Sequence, residues 1–147
     1  MVTKKNGAVA EMPPPTVTTL DRMRLGTLVD RYDHDALVER RYLDSLLQEL
    51  ERAQSIEPED VPPDVVTMNS TVRLRDEATG EVEDYTLTYP ERANIAENRI
   101  SVLAPMGTAL LGARVGEVIE FEAPAGKERF RVEEILYQPE AVGRLDF

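Results

Sequence analysis

The sequence predicts an α+β protein. A short N-terminal antiparallel helical hairpin, read as a coiled coil, precedes about five short, mostly antiparallel strands and one short helix. Three observations predict it. Apolar residues recur at helical spacing across residues 18–55. Residues 56–64, read IEPEDVPPD, hold three prolines and four acids, the composition of a linker. Beyond them the apolar period switches to two.

Residues 1–17 carry Gly, Ala and Pro13-Pro14-Pro15 without a hydrophobic period, so a disordered or extended arm is expected. Thr18 or Thr19 offers an N-cap oxygen, with Asp21 in the first turn. Leu20, Met23, Leu28, Val29 and Tyr32 then fall near helical spacing, and Gly26 in their midst costs about 1 kcal/mol against Ala. Asp33-His34-Asp35 interrupts the pattern with residues that favour turns and caps. A second helix is expected over residues 36–54, with Leu43, Leu46, Leu47, Leu50 and Ala53 as its apolar stripe and a Glu49–Arg52 pair on its outer face. The expected layout is an arm over 1–17, a hairpin over 18–55, a linker over 56–64 and a second domain over 65–147.

In that domain Val66, Met68, Ser70, Val72 and Leu74 alternate as a strand. Residues 76–80 form a hairpin turn in which Gly80 suits a positive φ. Residues 82–89 return as a strand with Tyr85, Leu87 and Tyr89 on one face, residues 90–98 are a loop or short helical turn, and residues 100–103 are a third strand. Residues 105–111 make the short helix. Residues 118–123 and 129–137 make a last hairpin around Pro124-Ala125-Gly126-Lys127.

A chain of 147 residues is long enough to bury a core without covalent staples. It has no cysteine, which removes disulfides and thiolate metal sites. No apolar run approaches the roughly 18–20 residues of a membrane span, and Lys4 and Lys5 are not followed by the apolar core of a secretory leader. A cytoplasmic protein with no membrane partner is expected. The net charge of −11 is uneven: residues 1–55 carry eight basic and nine acidic side chains, residues 56–147 nine and nineteen. So acidic a second domain would be repelled by phosphate backbones, and direct DNA binding is not expected. A basic patch on a protein would be attracted.

Chemistry has few places to sit. His34 is the single histidine, with only the flanking aspartates near it in sequence, so neither a serine triad nor a metal site is expected. The run GTALLG lacks the lysine and the spacing of a phosphate loop. No cofactor is expected. Asp33 and Asp35, with Asp30 just before them, could in principle share a Mg²⁺ shell, though a solvated capping turn accounts for them as well.

Residues 104–116, read APMGTALLGARVG, join a proline, three glycines and an apolar run between two strand patterns. Pro105 starts the helix, Ala109 and Leu110 face the sheet, and Gly112 and Gly116 permit the exit turn. This segment resembles the C-terminal signature of the Gre transcript-cleavage factors. Together with PPDVVTMNS over 62–70 and YQPEAVG over 137–143 it resembles a Gre-like bacterial family, the regulators of nucleoside diphosphate kinase. The resemblance implies an FKBP-like second domain and binding to RNA polymerase at its secondary channel, in competition with the cleavage factors. It implies an indirect effect on nucleoside diphosphate kinase through transcription.

The cleavage factors use acidic residues at the tip of a longer coiled coil. The corresponding turn here is Asp33-His34-Asp35, on helices of about 13–19 residues that reach only roughly 20–28 Å. The expected function is therefore non-catalytic polymerase binding, the alternative being stimulation of transcript cleavage through Asp33 and Asp35. Candidate polymerase contacts are Met68, Asn69, Ser70, Pro105, Met106, Gly107 and Leu110, with Leu111, Asp76, Glu91, Glu97 and residues 138–143 behind them. Leu110 and Leu111 fit the core equally well. A prolyl isomerase is disfavoured because Tyr85, Tyr89, Phe121, Phe130 and Tyr137 fit core positions of strands.

Overall fold

The computed structural model describes the backbone of residues 3–5 and, with side chains, residues 14–32 and 40–144. The acidic turn Asp33-His34-Asp35 lies outside the described residues, as does the start of the expected second helix. In chain order the elements are β1 (Thr3–Lys5), β2 (Thr16–Thr18), α1 (Thr19–Tyr32), α2 (Arg40–Arg52), β3 (Gln54–Ile56), β4 (Thr71–Asp76), β5 (Val82–Thr88), β6 (Arg99–Ser101), α3 (Pro105–Leu110), β7 (Val118–Ala123) and β8 (Gly126–Tyr137).

α1 starts for a local reason. Thr18 caps α1: its Oγ1 accepts the N–H of Asp21 at 3.0 Å, the third residue of the helix. Leu25, Leu28 and Val29 on α1 and Leu43, Leu46 and Leu50 on α2 are buried. Parallel pairing of β2 with β3 then ties the entry of α1 to the exit of α2, Val17 opposite Ser55.

The main sheet runs β1-β7-β8-β4-β5-β6. β4 is antiparallel to β5 and β7 to β8, as their hairpins dictate, and β4 also pairs antiparallel with β8. Two pairings depart from the antiparallel expectation: β1 joins β7 in parallel, and β5 joins β6 in parallel, because residues 89–98 cross over through two short 3₁₀ turns rather than returning directly. One face of β4 carries Thr71, Arg73 and Arg75 toward solvent, where Arg73 pairs with Asp84 and Glu134, and Arg75 with Glu133. The other face buries Val72 and Leu74. Phe121 and Phe130 stack on the covered side with centroids 5.7 Å apart.

The core is continuous. One buried cluster joins the leucines of α1 and α2 to Val66 and Met68, to Ala109, Leu110 and Leu111 of the helix segment, and to Leu74, Leu87, Ile119 and Val132 of the sheet. Burying each large apolar side chain is worth about 1.5–3 kcal/mol. The hairpin therefore cannot leave the sheet without exposing several of them.

Four sequence expectations change. Residues 66–70 alternate like a strand but form a loop before β4, because Asn69 takes a left-handed backbone (φ 69°) and Ser70 N–H turns back to Thr67 O at 3.0 Å. The last strand starts at Gly126 rather than residue 129, since the two-residue turn Pro124-Ala125 lets Ala123 pair directly with Gly126. Glu49 is not on an outer face: it is 1% exposed, and Arg52 pairs with it at 3.3 Å. The buried stripe of α2 runs through Leu43, Leu46, Glu49 and Leu50, leaving Leu47 and Ala53 only partly covered. The arm, expected to be disordered or extended, supplies the extended strand β1 and most of β2.

Candidate functional site

The segment over residues 104–116 is where the hairpin is mounted on the sheet. Ala104 is extended (φ −71°, ψ 150°), as a residue before proline must be, and Pro105 opens α3. A Cβ placed on Gly107 would lie 2.0 Å from the Ser101 carbonyl oxygen, so only glycine lets α3 sit against the end of β6. Thr108 Oγ1 fastens the same contact by donating to Val102 O at 2.7 Å.

Gly112 does the same for the hairpin. Its φ is +77°, and a Cβ there would meet Pro15 Cβ at 2.5 Å and Thr16 N at 2.9 Å. Thr16 N donates to Gly112 O, Gly112 N to Val66 O at 2.9 Å, and Val66 N to Ala113 O at 2.8 Å, while Gln54 N donates to Pro15 O at 2.8 Å. Pro15 and Thr16, which lead into α1, and Val66 in the loop before β4 thus converge on one glycine, and Gln54, just past α2, is tied to the same place through Pro15.

Asp21 completes this joint. Its Oδ2 accepts the Met68 N–H at 3.0 Å, across 47 residues of sequence. Burial pushes its carboxyl up to about 7; the Met68 hydrogen bond opposes that, Glu140 adds to it and Arg24 opposes it. Burial also raises the Tyr89 hydroxyl, which lies near Asp21 and Arg24. Thr67 Oγ1 donates to Glu140 Oε1 at 2.7 Å. Gln138 Nε2 donates to Pro62 O at 2.9 Å and Val65 O at 2.8 Å. The helix start, the loop over 65–70 and the tail after β8 are held as one polar cluster.

The expected contact residues fall into two groups. Met68, Ser70, Gly107 and Leu110 are buried, as is Leu111; such groups shape a surface without presenting it. Asn69, Pro105 and Met106 are half-buried, while Glu91 and Glu97 are exposed. Tyr85 and Tyr89 pack against the core cluster that includes Phe121 and Phe130, whereas Tyr137 lies outside that cluster. Among the described residues, no group of three or more His, Cys, Asp or Glu could hold a metal ion, and no helix is long and apolar enough to cross a membrane. A surface recess of about 290 Å³ runs along α1, lined by Met23, Arg24, Thr27, Leu28, Arg31, Tyr89 and Glu91. Met23 stands 64% exposed beside it, and Arg31 bridges to Glu91 at 3.2 Å.

Sequence reasoning missed the joint between residues 15–16 and Gly112 and the reach of Asp21 to Met68. Asp21 read only as a first-turn acid, and nothing local signals a partner 47 residues away. The one available hint was the glycine-rich run itself, since glycine marks close backbone approach as readily as a turn.

A helical pair rooted in a glycine-built socket on a small mixed sheet defines a Gre-type architecture, and the chain belongs to the GreA/GreB transcription-factor family. Residues 61–137 match the family described as "Transcription elongation factor, GreA/GreB, C-term", and residues 13–55 match "Rnk N-terminus". The chain is similar to the regulator of nucleoside diphosphate kinase of Escherichia coli (strain K12), 42% identical over 132 residues that span 89% of this chain and 95% of that one. It is also similar to the transcription inhibitor protein Gfh1 of Thermus aquaticus, 42% identical over 99 residues, 66% of this chain and 61% of that one. Among solved structures, a transcription elongation factor GreA/GreB from Nitrosomonas europaea superposes with a TM-score of 0.70 at 41% identity, covering 84% of this chain and 99% of that one.

Proposed function

We propose that this protein is a non-catalytic transcription regulator that binds RNA polymerase at the secondary channel and excludes Gre-type cleavage factors from it. The observation that carries the reading is the similarity over 89% of the chain to a regulator of nucleoside diphosphate kinase, on a GreA/GreB family background. The short helices support the non-catalytic part. Among the described residues α1 has 14 and α2 has 13, and even the whole stretch over 19–52 shared between two helices gives arms of only roughly 25 Å at about 1.5 Å per residue. On the same reading the sheet with α3 is an FKBP-like module that docks at the channel rim in the cytoplasm. The half-buried Asn69, Pro105 and Met106 are then contact residues, and the effect on nucleoside diphosphate kinase is indirect.

The test is capture of core RNA polymerase by the tagged full chain at low salt, followed by addition of an excess of cleavage factor. Retention of polymerase, and its release by the competitor, is the expected result. No retention at micromolar protein overturns the reading. A parallel assay on stalled elongation complexes should show no 3′-fragment release. Release that Asp33→Ala/Asp35→Ala abolishes would instead make the protein a cleavage stimulator.

A further inference from the structure

The six-stranded sheet has two ends, and they are closed in different ways. At the β6 end the neighbouring loop covers the edge: Asn94 N donates to Arg99 O at 2.9 Å, and Arg99 N to Asn94 O at 3.0 Å. At the β7 end the cover comes from far away in sequence. β1 lies parallel to β7, with Thr3 opposite Val118, Lys4 opposite Ile119 and Lys5 opposite Glu120.

Three features make this second cover look like an occupant rather than a permanent part of the sheet. β7 lies within the matched family segment over 61–137, whereas residues 3–5 lie outside both matched segments, 61–137 and 13–55. The edge thus belongs to the family module and its cover does not. The pairing extends over three residues, although β7 has six. The edge strand carries Glu120 and Glu122, of which Glu120 also lies 4.0 Å from Lys127 Nζ on β8, and the segment paired to it reads TKK. Opposite charges across a strand pair stabilise that pairing, and an open edge is a template for an added strand.

We propose that the β7 edge is a binding site for an extended, lysine-bearing segment of a protein partner, which adds in parallel along Val118–Ala123, and that residues 3–5 occupy the site in cis until such a segment displaces them. A partner strand pairing with all six residues of β7 gains main-chain hydrogen bonds that the three-residue occupant lacks, and its lysines meet Glu120 and Glu122. This proposal is independent of polymerase binding, and its test contains no polymerase.

The probe is a fluorescent peptide with the sequence of residues 2–8, VTKKNGA, followed by anisotropy. The proteins are the full native chain and full chains carrying Lys4→Pro/Lys5→Pro or Lys4→Glu/Lys5→Glu. Alternate strand residues direct their N–H groups to opposite sides, so prolines at both positions remove a ladder donor whichever one is paired. The glutamates oppose Glu120 with no change to the backbone. Both variants should bind the peptide about tenfold or more tighter than the native chain, a difference of about 1.4 kcal/mol. Their amides at Val118–Glu120 should exchange faster, added salt should weaken the binding, and a further Glu120→Lys should abolish it. Equal binding by native and variant chains, binding by none of them, or binding indifferent to Glu120→Lys would overturn the proposal.

Discussion

Replacing Asp21 by Asn should make the protein's stability less dependent on pH, with a gain at neutral and alkaline pH. In the folded chain the Asp21 carboxyl is 4% exposed and is raised from 3.8 to about 7, chiefly by burial. That displacement corresponds to about 4 kcal/mol between the protonated and ionised forms. The unfolded chain releases this proton near pH 4 and the folded chain holds it until about pH 7. Asp21 therefore contributes stability that is complete below pH 4, declines as pH rises and is gone above about 7. Asparagine keeps an oxygen that can accept the Met68 N–H but does not ionise. Groups not coupled to Asp21 titrate equally in both proteins, so the difference in unfolding free energy between Asp21→Asn and wild type reports this residue together with its neighbours Glu140 and Tyr89. That difference should rise in favour of the variant by up to about 4 kcal/mol between pH 4 and pH 8. Urea titrations at five or six pH values, with a common m-value, measure it. A difference that does not change with pH, or one that moves in favour of the wild type, would refute the account of Asp21 as a buried carboxyl held in its neutral form.

Two glycines should respond in opposite directions. Gly112→Ala places a methyl 2.5 Å from Pro15 Cβ at a φ of +77°, and should destabilise the chain by about 1–3 kcal/mol in the same urea assay, with faster proteolysis near residues 14–18. Gly26→Ala, in the middle of α1 with nothing within 4 Å of the new methyl, should stabilise it by about 0.5–1 kcal/mol. Equal effects of the two substitutions would contradict the distinction drawn between a glycine required by close approach and one that merely weakens a helix.

The local elements were legible wherever one signal decided them. Helical spacing of Leu43, Leu46 and Leu50, the turn before Val82, and Pro105 at the head of α3 each sit where the sequence puts them. Elements decided by partners far along the chain were not. Val66, Met68 and Ser70 alternate as a strand does, yet their backbone is spent on Ala113, Asp21 and Leu87 rather than on a neighbouring ladder. Glu49 looks like a surface residue because charge is the local cue, while its burial depends on what α2 packs against. The parallel strands β1, β2 and β3 are three residues each, too short for a period of two to declare itself. For the site, the resemblance pointed to the segment over 104–116 and gave it an outward role, whereas Gly107 and Leu110 in it are buried. The acidic turn over 33–35 lies outside the described residues, so its part in function rests on the cleavage assay.

Gly112 also bears on how such proteins can diverge. The residue fixes the root of a helical pair, and the matched relatives bear names as different as elongation factor and inhibitor. A socket of this kind is indifferent to the tool it holds. Swapping the helices over residues 19–52 for a pair with another tip, while leaving Pro15, Val66 and Gly112 untouched, amounts to changing a bit in a common chuck. In this chain the segment that carries the family resemblance serves to hold the root of the helices.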